Sequence, residues 1–443
     1  MTDASAARQD ITHRRVLKIA LPIVLSNATV PILGAVDVGV VGQMGEAAPI
    51  AAVGLGAITL STVYWIFGFL RMGTVGLVGQ AEGAGDRAEV SAWLTRALVV
   101  ALVAGFSLIV LQPLVIWGAL RISDASETVE TLARQYLAIR IWTAPAAIAV
   151  YALTGWLVAM EKTAGVFWVQ LTMNGVNILL DLLFVLVLEW GVPGVAIATV
   201  IAELTGAALG LWFCRDAFRH PQWRNRARVF DRAKLIRMAL LNTDILLRSA
   251  MLMIIFSSFV FIGTRFGDVI LAANEVLIQF MYITAYAMDG FAFAAETLIA
   301  RAIGQGRRAH VRRSALVTSI WGLVVCVSMA LFFALTGGWL IGVMAKDVDV
   351  QTVARDFLPY MVVAPLIGCA SWMLDGIFIG ATRSRDMRNM MAISFAIYWA
   401  SIFVLLPLIG NHGLWCALLI SFAARGLTLG SRYPALERQV QAA

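Results

Sequence analysis

Four histidines and four cysteines in a chain of 443 residues leave little material for metal or acid–base chemistry. His13, His220, His310 and His412 fall in the tail or in breaks between apolar segments. Cys214, Cys326, Cys369 and Cys416 are scattered without a C-x-x-C pair, so neither a metal site nor a disulfide framework is expected. No H-E-x-x-H, P-loop or G-x-S-x-G stretch is present, which argues against an enzyme, against catalytic residues and against a cofactor. Charge is scarce too: Asp, Glu, Lys and Arg make up 14% of the residues, where soluble domains carry about 25%. The opening MTDASAARQDITHRR lacks an apolar core before a small-residue cleavage site, so it reads as a short tail and not a signal peptide.

What the chain has instead is a 60% hydrophobic composition, arranged in runs between charged or Gly/Pro-containing breaks. About 20 apolar residues cross a hydrocarbon core of roughly 30 Å. The runs predict an all-α polytopic membrane protein with twelve transmembrane helices, over 16–43, 50–80, 90–118, 131–159, 164–188, 192–213, 239–264, 269–300, 313–340, 352–380, 388–409 and 412–430. The net charge of +7 would suit nucleic acid, but the bases sit in short breaks between apolar runs, so no nucleic-acid partner is expected. Alternate breaks are basic: Arg14, Arg15 and Lys18; Arg87 and Arg96; Arg307, Arg308 and Arg312; and, above all, the stretch 214–238. Positive charge marks the cytoplasmic side, which puts both termini inside and the chain in the cytoplasmic (inner) membrane.

The sequence repeats itself. LVGQAEGAGDRAEV (77–90) matches LIARAIGQGRRAHV (298–311) at an offset of 221 residues, with half the positions identical. YLAIRIWTAP (136–145) resembles FLPYMVVAP (357–365), and GVPGVAIA (191–198) resembles GNHGLWCA (410–417), at nearly the same offset. Ordered matches at half the chain length indicate duplication. The expected organisation is an N-terminal six-helix lobe over 1–213, a cytoplasmic linker over 214–238 and a C-terminal six-helix lobe over 239–443, related by a pseudo-two-fold axis along the membrane normal. Two like bundles about a central cavity are a transporter architecture, and alternating access is its usual motion.

Polar groups inside apolar runs are the candidate functional residues, because a carboxylate in a spanning helix costs about 2.5–3.5 kcal/mol on insertion scales. The first helix carries Asp37 together with Pro22 and Pro31, a titratable group in a helix with two candidate hinges. The fifth carries Asn174, Asn177 and Asp181 on one face; the fourth offers Thr154, and the sixth Thr199 and Glu203. Amides and hydroxyls can hydrogen-bond a carboxylate in both its protonation states. The plainer reading is that these groups hold helices together. The second half has Glu275, Asp289, Glu296 and Asp375, of which Glu275, Asp289 and Asp375 are secondary candidates for a cation site or a substrate cavity. Asp244 and Arg248, four residues apart, read as a local ion pair. At the repeat offset, Asp37, Asn177 and Asp181 map to Ser258, Tyr398 and Ile402, so the halves share a fold but not their polar equipment. Trp65, Trp142, Trp156, Trp168, Tyr282, Tyr286, Met173, Met281 and Met288 supply aromatic and thioether surface, part of which would suit amphipathic cations.

ALPIVLSNATVPILGAVDVGVVGQMG, FLRMGTVGLVGQAEGAGD, LDGIFIGATRSRDMRNMMA and GNHGLWCALLISFAARGL together resemble the DinF branch of the multidrug and toxic compound extrusion (MATE) transporters, over nearly the whole chain. The resemblance implies twelve helices in two lobes, and export of small amphipathic, often cationic organic compounds by antiport with protons or sodium. It makes Asp37, Asn177, Asp181 and Thr199 the cation-coupling residues, and Pro22 the point where the first helix bends on protonation. Leu33 stands where some relatives have tyrosine, and Thr154 where some have asparagine. With fewer oxygen ligands, protons are the expected coupling ion and sodium the alternative. The partners expected are the bilayer and organic solutes, with the chain working as a monomer. The rival readings are a lipid-linked precursor flippase, whose pyrophosphate would call for a basic cavity, and, further off, a membrane-embedded enzyme.

Overall fold

In the computed structural model the described residues are 11–440 apart from Gly45 and Asp124, and the side chains at 32, 34, 35, 37, 38 and 439 also lie outside the description. Twelve long helices are formed among the described residues: α1 (His13–Gly42), then α2 (Ala47–Gly83), α3 (Arg87–Val110), α4 (Glu127–Ala159), α5 (Thr163–Val187), α6 (Gly191–Phe213), α7 (Arg232–Phe266), α8 (Asp268–Gly304), α9 (Arg308–Met344), α10 (Val348–Gly380), α11 (Ser384–Ile409) and α12 (Asn411–Arg438). All from α2 onward are long and apolar enough to cross a membrane. The main departure from the predicted spans is at 90–118. The chain breaks at Leu111 and restarts as a separate helix, Gln112–Ile122, because Pro113 cannot donate a backbone hydrogen bond and is favoured at a helix start.

The chain groups into two compact units: Leu25–Arg237, here the N-lobe, and Met238–Ala443 with the chain up to Val24, here the C-lobe. The first division falls inside α1, two residues after Pro22. α1 is helical through both Pro22 and Pro31.

In the N-lobe, α3 crosses α4 where Gly105 meets Pro145; a Cβ at position 105 would lie 2.2 Å from the Pro145 Cα, so only glycine fits. The segment 214–238 is not an open loop. It carries the short helical pieces Arg215–Arg219, Pro221–Arg224 and Arg226–Val229 before α7 begins at Arg232. It is fastened to the lobe by Arg96, buried on α3, whose guanidinium donates to the carbonyls of Arg228 and Val229 and to Glu89 Oε1 at 2.6 Å. Lys234 reaches Glu89 at 2.7 Å, and Lys162 reaches Asp216 at 2.6 Å. Asp86 caps α3 by accepting from the Glu89 amide at 2.9 Å, and pairs with Arg228. Burial pushes the Asp86 carboxyl up, but the amide bond and Arg228 outweigh it and hold it below the usual carboxylate range. The hydrogen bond from Lys162 does the same for Asp216.

In the apolar core of the C-lobe, Phe259 packs edge-on against Trp415 at 4.7 Å and Phe280 stacks on Phe333 at 5.0 Å. Asn274 and Asn411 exchange amide hydrogen bonds inside this core, and Asn274 Oδ1 also accepts from the Trp415 indole at 2.9 Å, so no member is left unsatisfied by burial. α8 and α10 approach closely because Gly376 and Gly380 face the backbone carbonyls of Ala292 and Glu296.

The duplication is written in the backbone as well. Gly85 after α2 and Gly306 after α8 are both left-handed (φ 76° and 64°), as are Glu161 after α4 and Thr382 after α10 (58° and 53°). Each pair is 221 residues apart, the offset of the sequence repeat. All four turns are closed by the same bond, from an amide back to the carbonyl five residues earlier: Asp86 to Ala81, Arg307 to Ala302, Lys162 to Leu157 and Arg383 to Phe378. A left-handed Glu and Thr are costlier than glycine, and both halves keep that cost at the same place.

Candidate functional site: a polar cavity in the N-lobe

Within the N-lobe, α1, α2, α4, α5 and α6 enclose a cavity of about 310 Å³. Its wall is largely apolar, with Leu33, Val53 and Met173 among its residues, and the polar groups among its described residues come from α4, α5 and α6. The spacing of Asn174 and Asn177 on α5 brings both to the cavity, with Asp181 one turn further along and buried. Asn177 Nδ2 donates to Asp181 Oδ2 at 3.0 Å and lies 3.3 Å from Thr199 Oγ1 on α6. The Thr199 hydroxyl in turn donates to the Val195 carbonyl. Asn174 donates to Thr29 on α1 at 2.7 Å and accepts from Gln170 at 3.0 Å. Asn177 thus stands between the buried carboxylate and the cavity. Directly after Asp181 the helix loosens into a π-helical turn, Leu182–Val187, a distortion frequent at functional sites.

The other predicted residues separate. Thr154 does not line the cavity; its hydroxyl bonds back to the carbonyls of Val150 and Tyr151 on its own helix. Pro22 is half-buried and Pro31 exposed on α1. Asp37 is placed by its backbone within α1, and its side chain lies outside the described residues. Among the aromatic and methionine candidates, Met173 alone lines this cavity; Trp65, Trp142, Trp168 and Tyr282 are exposed, and Trp156, Met281 and Met288 are packed in the interior.

Of two further cavity residues, Glu203 is among the polar groups the sequence offers on the sixth helix, while Arg140 is singled out by nothing in the sequence. Arg140 on α4 pairs with Glu203 on α6, and its other amino group donates to the Tyr136 hydroxyl at 2.8 Å. The Thr143 hydroxyl also donates to Glu203. The partners are 63 residues apart, so no local spacing announces them. The result is a neutral, multiply hydrogen-bonded pair in the wall beside the Asn177–Asp181 group.

In the C-lobe, Glu275 and Asp289 lie half-buried on one face of α8, with Tyr282 and Tyr286 between them on the same stripe. Asp375 does not join them. It is buried on α10 and takes a hydrogen bond from Arg248 on α7, with Arg425 of α12 at 3.8 Å. The expected Asp244–Arg248 pair is therefore replaced: Arg248 turns to Asp375, while Asp244 receives Arg388 at 2.6 Å and Ser384 at 2.8 Å from α11. Partners on neighbouring helices desolvate these charges together, which a solvent-facing pair on one helix would not do. Bases are buried as well as acids: Arg96, Arg140, Arg248 and Arg425 are all in the interior.

Twelve long helices in two lobes, with a hydrogen-bonded carboxylate behind an apolar cavity, define a membrane transporter and not an enzyme. The chain belongs to the MatE family, that of the multidrug and toxic compound extrusion transporters: the family model matches residues 22–183 and 245–404. It is 36% identical to DNA damage-inducible protein F of Escherichia coli (strain K12), over 93% of this chain and 90% of that protein. It is 26% identical to a probable multidrug resistance protein NorM of Rhizobium meliloti (strain 1021), over 98% of this chain and 95% of that one. Its fold matches the crystal structure of the Vibrio cholerae MATE transporter VcmN in the bent form with a TM-score of 0.87, at 17% identity and covering 99% of both chains.

Proposed function

We propose that this chain is a secondary active efflux transporter that exports amphipathic, cationic organic compounds by proton antiport with alternating access. Its setting would be the cytoplasmic membrane, with both termini inside, as the basic breaks between helices suggest. The observation that carries the reading is the Asn177 amide, hydrogen-bonded at once to buried Asp181 and to Thr199 at the cavity wall. An ionised carboxylate only accepts; once protonated it also donates. Protonation of Asp181 therefore favours turning the Asn177 carbonyl toward it, which moves the amide hydrogens away from their present partners and alters the polar lining of the cavity.

Asp37 is the companion carboxylate in this scheme, with Asn174 in the same coupling group and Pro22 and Pro31 as hinges of α1. The C-lobe gives indirect support: Ser258 and Tyr398, which stand at the repeat offset from Asp37 and Asn177, hydrogen-bond to each other at 3.0 Å. One elementary charge crossing 100 mV supplies about 2.3 kcal/mol, roughly fifty-fold accumulation, so one or two carboxylates suffice as couplers.

The test is dye efflux from liposomes holding the purified protein, under imposed pH or sodium gradients. Efflux of a cationic dye is expected to follow the pH gradient and to fall at least tenfold in Asp181→Asn. Efflux that follows only sodium, or that survives in the variant, overturns the choice of ion or the coupling residue. The flippase reading draws support from buried Arg140, Arg248 and Arg425; translocation of a lipid pyrophosphate without dye efflux would favour it.

A further inference from the structure

We propose that Arg248 and Arg425, the latter held by the Ser371 hydroxyl, whose own hydrogen goes to the Gly368 carbonyl, form a site in the C-lobe for a small monovalent anion, either chloride or a carboxylate group, independent of the coupling reaction in the N-lobe. The argument is a charge balance. Two guanidiniums and one carboxylate meet there, all three side chains at least nine-tenths buried (9%, 3% and 9% exposed for Arg248, Arg425 and Asp375). Asp375 hydrogen-bonds Arg248, while Arg425 stands 3.8 Å off and donates instead to the Ser371 hydroxyl at 2.9 Å. The Nε of Arg248 and the Nε of Arg425 have no hydrogen-bond partner among the described residues.

Neighbouring acids do not cancel the surplus. Asp244, one turn before Arg248, is already engaged by Arg388 and Ser384. Among the described residues, Asp375 is the one acid within ion-pair distance of either guanidinium. A buried cluster with one net positive charge and two unmet N–H donors is chemically matched to a compact anion that accepts hydrogen bonds, and it repels a cation. In such a site Asp375 is a built-in competitor: it occupies guanidinium valences that an anion would otherwise take.

The experiment uses the purified full chain in detergent and reads the thermal unfolding midpoint at constant ionic strength. Chloride, acetate and bulky isethionate are compared as sodium salts. Chloride or acetate is expected to raise the midpoint saturably over isethionate; a response to chloride alone identifies a halide site, and a response to acetate a carboxylate site. Asp375→Asn should lower the half-saturating anion concentration at least threefold, and Arg248→Gln should remove the dependence. If Arg248→Gln does not fold, Ser371→Ala takes its place, with weaker half-saturation expected. A wild-type midpoint equal in the three salts overturns the proposal without any variant. So does a salt dependence unchanged by these substitutions, since a purely structural cluster would alter stability but not its response to the anion.

Discussion

The two lobes bury arginine by different rules. In the N-lobe the two deep guanidiniums pair with different acids: Arg96 with Glu89, which Lys234 also reaches, and Arg140 with Glu203. In the C-lobe Arg248 and Arg425 share Asp375. The backbones are duplicated down to left-handed turns at equal offsets, yet the buried charges are not. Backbone geometry is fixed by packing and by helix-end hydrogen bonds that both halves need, so duplication preserves it. A buried charge has to be answered only where it stands, and each lobe has found a separate answer.

The comparison is broken most severely by removing one arginine from each lobe. Arg140→Ala leaves Glu203 in the interior without its cation, and breaking a buried pair in that way costs about 3–5 kcal/mol. Arg248→Met removes the hydrogen bond to Asp375 but leaves Arg425, 3.8 Å away, to neutralise it, so its cost should be smaller than that of Arg140→Ala. Denaturant unfolding of the two variants in detergent measures the difference. Equal losses would mean that Arg425 does not serve as a second partner for Asp375.

The fold was far more legible in the sequence than the charges were. Apolar length marks a spanning helix, and the repeat around 77–90 and 298–311 marks the duplication, because both are local patterns. The polar face of α5 was legible for the same reason: Asn174, Asn177 and Asp181 lie on one helix at helical spacing. The Arg140–Glu203 and Arg248–Asp375 pairs join helices 63 and 127 residues apart, and only tertiary packing brings them together. The Asp244–Arg248 expectation failed through reliance on local spacing where burial against other helices decides. The helical pieces of the linker are too short and polar to show in the sequence; its order comes from Arg96, which belongs to another element.

Packing offers a smaller contrast. Gly105→Ala in the N-lobe drives a methyl into the Pro145 backbone, whereas Gly426→Ala in the C-lobe meets its nearest neighbour, the Ala370 methyl, at 3.2 Å. Overpacking against backbone costs about 1–3 kcal/mol, and the Gly105 variant should fall in that range on the unfolding curve. The Gly426 variant should lose visibly less, since a shift of a few tenths of an ångström relieves it.

Acid should loosen the N-lobe linker in particular. Asp86 and Asp216 are held below the ordinary carboxylate range in the folded chain. Their contribution is therefore complete above that range and is lost as pH falls through their lowered folded values. Amide hydrogen exchange in 214–238 should accelerate below about pH 4, the unperturbed Asp region, before exchange in the C-lobe core around Asn274 does. Asp86→Ala, which removes the cap as well as the charge, should cost about 1 kcal/mol at neutral pH.

The smallest effect tests whether Ser258 and Tyr398, the C-lobe counterparts of the proposed coupling residues Asp37 and Asn177, have any coupling role. Ser258→Ala removes the 3.0 Å bond to the Tyr398 hydroxyl, which retains a longer contact to the Ile255 carbonyl at 3.4 Å. A neutral hydrogen bond contributes about 0.5–1.5 kcal/mol net, and the remaining contact should keep the loss near the lower end. Serine and tyrosine do not change charge near neutral pH, so the pH dependence of dye efflux in liposomes should be that of the wild type. A shifted pH profile would mean that proton coupling passes through the C-lobe too, and that the asymmetry between the lobes is one of charge placement alone.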